Sequence, residues 1–483
     1  MLWPNLIGGA WLDGGGDGRI DVLDPADLDS VVGAVPALDA AEVTAAYARA
    51  AEGFPLWRAG GALERARVLA GTARLLRERS EQIAIDLVHE MGKTLAEATV
   101  EAAKAADFFE FYASLARLPV GHLLADARPG VEVSVRAEPV GIVLAITPWN
   151  DPLLTPARKL APALFAGNAV ILKPATETPL VALHLARALH DAGLPAGVLG
   201  TVTGRTSTIA GALLGDERLA AVTFTGSTAV GTSIRRTLSD RNLRLQTEMG
   251  GKNASVVLAD ADLELAAATV AAAAFGQGGQ RCTATSRVVV ERAVARELTG
   301  LLVAHARQAR LGPGVDPETT MGPLVSKSHQ GEVLSHVSRA REEGADVLTG
   351  GGAPMQPALA RGCYVEPTVL GGVAPDMSIW RDEAFGPVVA MREVAGLEEA
   401  IAAVNDSAYG LSAALFTRSL GSASRFSAKV DVGQVAINLP TSGWDVHQPF
   451  GGFRESGSAF KEQGVEGLRF YTRIKTVATR ASD

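Results

Sequence analysis

The stretch GQGGQRCTATSR, residues 276–287, sets one of only two cysteines in a 483-residue chain between glycines and small hydroxylated residues. A packed thiol sits among bulky apolar neighbours, whereas Cys282 follows a glycine segment and adjoins the cation Arg281. That setting suits a reactive thiolate, because a neighbouring cation lowers a thiol pKa. The other cysteine, Cys363 in RGCYVEPTVL, lies in a β-type run and reads as packing. Three further motifs sit at the ends of apolar runs that read as strands: TPWN (147–150) after VGIVLAI, KPAT (173–176) after AVIL, and FTGSTAVG (224–231). In the last, Gly226 lets the backbone approach a phosphate, and Ser227 with the free amides of a helix start would bind it. Taken singly, Lys173 also reads as a solvated lysine and the glycine spacing as an ordinary turn.

Strands and helices must alternate to bring such motifs to one sheet edge. From Asp39 to about Leu118, Ala, Leu and Arg recur at three- and four-residue spacing, which predicts helices. After Gly121 the chain turns β-like, in VEVSVRAEPVGIVLAI. From Val140 the order is VGIVLAI, a helix after Pro152, AVILKP, a helix from Pro179 to Ala192, VLGTVTG, another helix, AAVTFTG and a helix from Thr228. A second alternation starts near Ala254, with SVVL, an Ala-rich helix after Asp262, SRVVV and a helix over Val294 to Gln308. This predicts an α/β fold of βαβ units on parallel sheets, with ligands beyond the carboxyl ends of the strands. A boundary is expected near Glu248 to Lys252, where one alternation gives way to the other. The glycines of DGGGDG (13–18) and TGGGA (349–353) read as surface turns.

At 483 residues the chain exceeds one hydrophobic core, so two or three domains are expected. With 53 acidic against 45 basic residues, the charge balance argues against a nucleic-acid partner. The start, MLWPNLIGGAWLDGGGDGR, has no basic region followed by an apolar one, and no apolar run approaches the roughly 20 residues of a membrane span. A cytoplasmic protein without membrane partners is expected. Two cysteines make no disulfide framework, and no metal site is expected.

EPVGIVLAITPWN, GNAVILKPATETP, FTGSTAVG, EMGGKNASVV, GQGGQRCTATSR, DEAFGPV, NDSAYGL and PFGGFRESGSAFKEQG, in that order across nearly the whole chain, resemble the aldehyde dehydrogenase superfamily. The resemblance implies the aldehyde dehydrogenase fold: a Rossmann-type NAD(P)-binding domain over 1–116 and 140–249, an α/β catalytic domain over 250–449, and a small β oligomerisation element over 117–139 and 450–483. Homodimers or homotetramers are implied with it. The implied reaction is NAD(P)-dependent oxidation of a small-molecule aldehyde to the acid through a cysteine thiohemiacetal and thioester. Cys282 would then be the nucleophile, Asn150 the oxyanion donor together with the cysteine N–H, and Glu248 the base that activates water. The residues by themselves also allow Asn150 as a helix N-cap before Pro152, and Glu248 as a surface acid or capping partner.

By the same resemblance Thr147, Trp149, Lys173, Thr176, Gly226, Ser227, Glu383 and Phe385 occupy cofactor positions. NAD-preferring relatives often carry Glu where Thr176 stands, and loss of that acid removes its repulsion of a 2′-phosphate. NADP is therefore expected to be accepted, even preferred, unless the neighbouring Glu177 swings in. Asp151 and Arg158 in NDPLLTPARK lie seven residues apart, about two turns along one helix face. The resemblance puts that face in the substrate tunnel, where Arg158 would grip a distal carboxylate bidentately or else pair with Asp151. Arg281 is expected to contact substrate as well, with Trp444 and His447 at the tunnel mouth. NLPTSGWDVHQPFGG and GQRCTATSR look like α-ketoglutaric semialdehyde dehydrogenases, so a semialdehyde bearing a carboxylate is the expected substrate. Asp151 departs from that group and would disfavour a second substrate carboxylate. Alternatives are a neutral or aromatic aldehyde, transfer of the acyl group to CoA, against which Glu248 argues, and a catalytically silent nucleotide-binding relative.

Overall fold

The computed structural model describes residues 1–14, 18–118 and 121–480, so Gly15, Gly16 and Asp17 of the expected DGGGDG turn lie outside the described residues. The Ala-, Leu- and Arg-rich first quarter forms α1 (Ala40–Ala59), α2 (Gly61–Glu78), α3 (Ser80–Met91) and α4 (Leu95–Ser114). Asp39 and Thr94 start α1 and α4 with reciprocal capping boxes, closed by Glu42 and Glu97.

Five parallel strands follow, in the spatial order Arg244–Glu248, Leu219–Thr225, Ile142–Ile146, Ala169–Lys173 and Leu199–Thr201. Their crossovers are α5 (Leu154–Phe165), α6 (Leu180–Asp191), α7 (Thr206–Gly215) and α8 (Thr228–Thr237). The first of these strands in the chain, Ile142–Ile146, is central; the next two add on one side and the last two on the other. Strand order thus reverses between Ile142–Ile146 and Leu219–Thr225, and the loops at their carboxyl ends diverge to leave a crevice. TPWN and the Gly226–Ser227 turn leave from these two strand ends.

After Glu248 the chain crosses to a seven-stranded sheet, ordered Asp346–Thr349, Thr368–Gly371, Val388–Val394, Thr285–Glu291, Asn253–Val257, Ser412–Phe416 and Gln434–Ile437. Only the first pair is antiparallel. Alternating side chains cover its two faces. Val257, Val288 and Val290 pack with α9 (Leu263–Phe275) and α10 (Ala295–Gln308), whereas Val256 and Val289 pack with α11 (Lys327–Glu342). The chain passes from one sheet to the other between Glu248, which ends a strand of the first, and Asn253, which starts a strand of the second. A separate antiparallel sheet joins Gly121–Leu124, Val131–Pro139 and Thr472–Arg480. Among the described residues no helix is long and apolar enough to cross a membrane, and no cluster of three or more His, Cys, Asp or Glu could hold a metal.

Candidate active site

A cavity of about 420 Å³ is lined by the strand-end residues Trp149, Asn150, Gly226, Ser227 and Glu248 of the first sheet and by Cys282, Glu383 and Phe385 from the second half of the chain. Cys282 reaches it through a sharp turn. Gln277, Gly278 and Gly279 are all left-handed, with φ of 54°, 62° and 69°. A side chain at 279 would place its Cβ 2.2 Å from the Gly386 carbonyl oxygen, so only glycine fits there. Asn253 then anchors the loop, its Nδ2 donating to the carbonyls of Cys282 at 2.7 Å and Ala284 at 2.9 Å.

Asn150 is not a helix cap. α5 starts after Leu153, and its free amides at Leu153 and Leu154 both donate to Glu101 Oε1 at 3.0 Å. The Asn150 carboxamide instead donates across the cavity wall to the Gln280 carbonyl at 3.0 Å, two residues before the cysteine.

Glu248 is 2% exposed, and neither of its carboxyl oxygens has a hydrogen-bond partner. Burial, reinforced by the charge of Glu462, holds its pKa well above the carboxylate range, and Lys159 opposes only partly. Lys159 is spent on Glu462 and on Thr223 Oγ1 at 2.8 Å. A carboxyl in this state holds its proton more tightly than an ordinary carboxylate does.

The thiolate expected from the Cys282–Arg281 neighbourhood is corrected by the geometry. Arg281 turns its Nε to Gln277 Oε1 at 2.7 Å, and burial pushes the Cys282 thiol up to about 12, with Arg158 the leading opposing charge. Desolvation outweighs the favourable charge of Arg158 at the sulfur. Cys363 is fully buried in the core of the second sheet, as expected of packing, although it precedes the strand Thr368–Gly371 rather than lying in one.

The other end of the cavity fits a dinucleotide. The Thr147 and Thr225 hydroxyls are buried at the two diverging strand ends without partners. Gly226 sits so tightly on the Phe224 ring that a Cβ would come within 2.6 Å of it, and Ser227 caps α8. Trp149 packs against His329 and Phe385 with ring centroids 5.0 and 5.3 Å apart, an apolar wall for a flat ring. Glu383 accepts from the Gly251 N–H at 2.8 Å, and burial raises its pKa to about 7. Lys173 and Thr176 lie farther along the sheet edge and do not line this cavity. The buried Lys173 ammonium donates to the Pro174 carbonyl at 2.7 Å, while Thr176 lines a second hollow with Glu177, Ser326 and Lys327.

At the substrate end Arg158 lies between Phe108 and Phe450, 5.8 and 4.7 Å from their ring centroids, with its Nε buried and unpartnered. Asp151 does not share its helix face. It stands in the turn before α5 and pairs with the buried Lys93 at 2.7 Å, so the expected Asp151–Arg158 pair is absent; the nearest acid to Arg158 is Glu462, at 3.6 Å. Burial alone would raise the Asp151 pKa, but Lys93 and then Arg281 bring it down to about 2. Trp444 lines the cavity and His447 does not: the segment alternates, turning Trp444 and Val446 inward and leaving His447 exposed beside Asp445. Sequence reasoning missed Lys93, Glu101, Phe108, Gln277 and His329. Only Gln277, inside the glycine run, carried a local signal.

Comparison with protein families matches residues 11–477 to the aldehyde dehydrogenase family. The chain belongs to that family. It is an NAD(P)-dependent aldehyde dehydrogenase. It is 41% identical to an alpha-ketoglutarate semialdehyde dehydrogenase of Haloferax volcanii over 98% of both chains. It is 37% identical to an alpha-ketoglutaric semialdehyde dehydrogenase of Bacillus subtilis, over 98% of this chain and 97% of that one. Among solved structures, a betaine aldehyde dehydrogenase point mutant from Staphylococcus aureus in complex with NAD+ is 31% identical, with a TM-score of 0.96 over 99% of this chain and 97% of that one.

Proposed function

We propose that this aldehyde dehydrogenase oxidises a small semialdehyde bearing a carboxylate, with Cys282 as nucleophile, Asn150 as oxyanion donor and Glu248 as base. The observation that carries the reading is one cavity holding an unpartnered buried acid, a cysteine and, at its far end, an arginine with an unpartnered Nε. The relatives named for alpha-ketoglutarate semialdehyde support the same substrate class.

The Cys282 thiol gives up its proton to water, and the sulfur adds to the carbonyl carbon. The oxygen gains the electron pair and is held by Asn150 Nδ2 and the Cys282 N–H, donors that stabilise the charge as it develops. Gly226, Ser227, Trp149, Glu383 and Phe385 would hold NAD(P)+, which would supply the acceptor for the hydride that leaves the thiohemiacetal carbon; a thioester on Cys282 remains. Glu248 then deprotonates water, which adds to the thioester carbon. Collapse releases the acid and returns the sulfur.

Thr176 replaces an acid with a neutral hydroxyl, beside a hollow that includes Lys327, and this supports acceptance of NADP. Catalytic efficiency with each cofactor tests it, and a strong NAD preference would count against it. The exposed Leu123, Leu124 and Ile474 of the three-stranded sheet suit subunit pairing, in line with the domain division 1–116 with 140–249, 250–449, and 117–139 with 450–483. A cytoplasmic site of action fits a free catalytic thiol, which a reducing compartment preserves.

The deciding experiment is a panel of succinic, glutaric and α-ketoglutaric semialdehydes beside acetaldehyde and benzaldehyde, run on wild type, Cys282→Ala and Arg158→Ala. Cys282→Ala should abolish NAD(P)H formation. Arg158→Ala should raise KM for the acidic aldehydes by about tenfold or more relative to the neutral ones; equal effects on both would refute the carboxylate contact.

A further inference from the structure

Gln277 takes no part in that chemistry, yet it occupies the least favourable backbone of its loop. It is left-handed at φ 54° and ψ 29°, a region that favours glycine and tolerates asparagine, and two left-handed glycines follow it. Its side chain has a specific use. Nε2 donates to the Asn150 carbonyl at 2.5 Å and to Asp151 Oδ1 at 3.3 Å, while Oε1 accepts from Arg281 Nε at 2.7 Å. Its backbone N–H donates to Glu97 Oε1 at 2.6 Å.

The anchor behind this contact is rigid. Asp151 is held by Lys93, and the Lys93 carbonyl packs so closely on Gly314 that a Cβ there would come within 1.9 Å of it. Arg281 lines the cavity, and among the described residues only its Nε has a protein partner, leaving both terminal nitrogens unclaimed. An arginine fixed through Nε keeps its outer fork for an anion and loses less rotamer freedom when one binds.

We propose that Gln277 is a positioning residue whose carboxamide holds the Arg281 guanidinium in the tunnel, making it a second cation for the anionic end of the substrate beside Arg158. This rests on the acidic-semialdehyde reading. Asp151 does not oppose it, because Lys93 already pairs with that carboxylate.

The test compares kcat/KM for succinic semialdehyde and acetaldehyde in wild type, Gln277→Gly, Gln277→Asn, Arg281→Ala and Gln277→Gly with Arg281→Ala. Glycine suits the left-handed backbone, and asparagine tolerates it while its amide falls one methylene short, so at least one variant should keep the wild-type melting temperature. The expected result is an acid-to-neutral ratio lowered about tenfold in both Gln277 variants, chiefly through KM, with no further loss when Gln277→Gly is added to Arg281→Ala. A ratio unchanged in the folded Gln277 variants, or lowered further in the double variant, overturns the role of Gln277. A wild type with no preference for the acidic aldehyde overturns the substrate reading, and the Gln277 proposal with it.

Discussion

Glu248 and Asp151 line the same cavity, yet their surroundings drive them apart. Glu248 is buried with no hydrogen bond, its proton retained by desolvation and by the charge of Glu462. Asp151 is also shielded, but the Lys93 ammonium lies 2.7 Å away and its pKa falls to about 2. The first group can give up and take back a proton; the second is a fixed charge that fastens a wall. Proximity to a reaction centre therefore does not assign a role to a carboxylate. Its partners do.

The contrast can be broken at several points. Glu248→Gln should cut steady turnover by about 10²- to 10⁴-fold while preserving an initial burst of NAD(P)H, because only thioester hydrolysis loses its base. An unchanged steady rate would make Glu248 as inert as Asp151. Lys93→Met leaves Glu101 and Asp151 buried without their cation and should cost about 3–5 kcal/mol of stability, read from the urea midpoint. A midpoint close to wild type would mean that Lys93 is not the fastener. Asn150→Ala should lower kcat by about 10²- to 10³-fold with little change in stability, since its carboxamide caps no helix.

The smallest effects lie in pH dependence. Glu248 works as a base only when ionised, and its folded pKa is raised, so kcat should climb with pH on a limb above the ordinary carboxylate range. Asp151 has the opposite sign. Its folded pKa of about 2 is below the ordinary 3.8, so its stabilisation is present above about pH 4 and is lost as pH falls toward 2. Acid titration of the urea midpoint should show this limb in wild type and lose it in Lys93→Met.

Much of this was legible in the chain. Helical spacing marked α1 to α4, and the change of alternation marked the passage between sheets, because both depend on local periodicity. Two of the three strand-end motifs, TPWN and FTGSTAVG, marked the crevice for the same reason, whereas Lys173 and Thr176 of KPAT fall outside it. What failed depended on distant partners. Arg158 and Asp151 looked like neighbours on one helix face, but Glu101, about 50 residues earlier, caps α5 only from Leu153 onward and leaves Asp151 in the turn. Arg281 looked like a partner for the sulfur, but a glutamine four residues back intercepts it. His447 fell on the outward phase of a segment whose Trp444 and Val446 turn inward.

Cys282 precedes a strand of one sheet, whereas Glu248 ends a strand of the other. Glu248 leaves the ribosome before Cys282 has been added, yet the two come to face one cavity only when both sheets have formed.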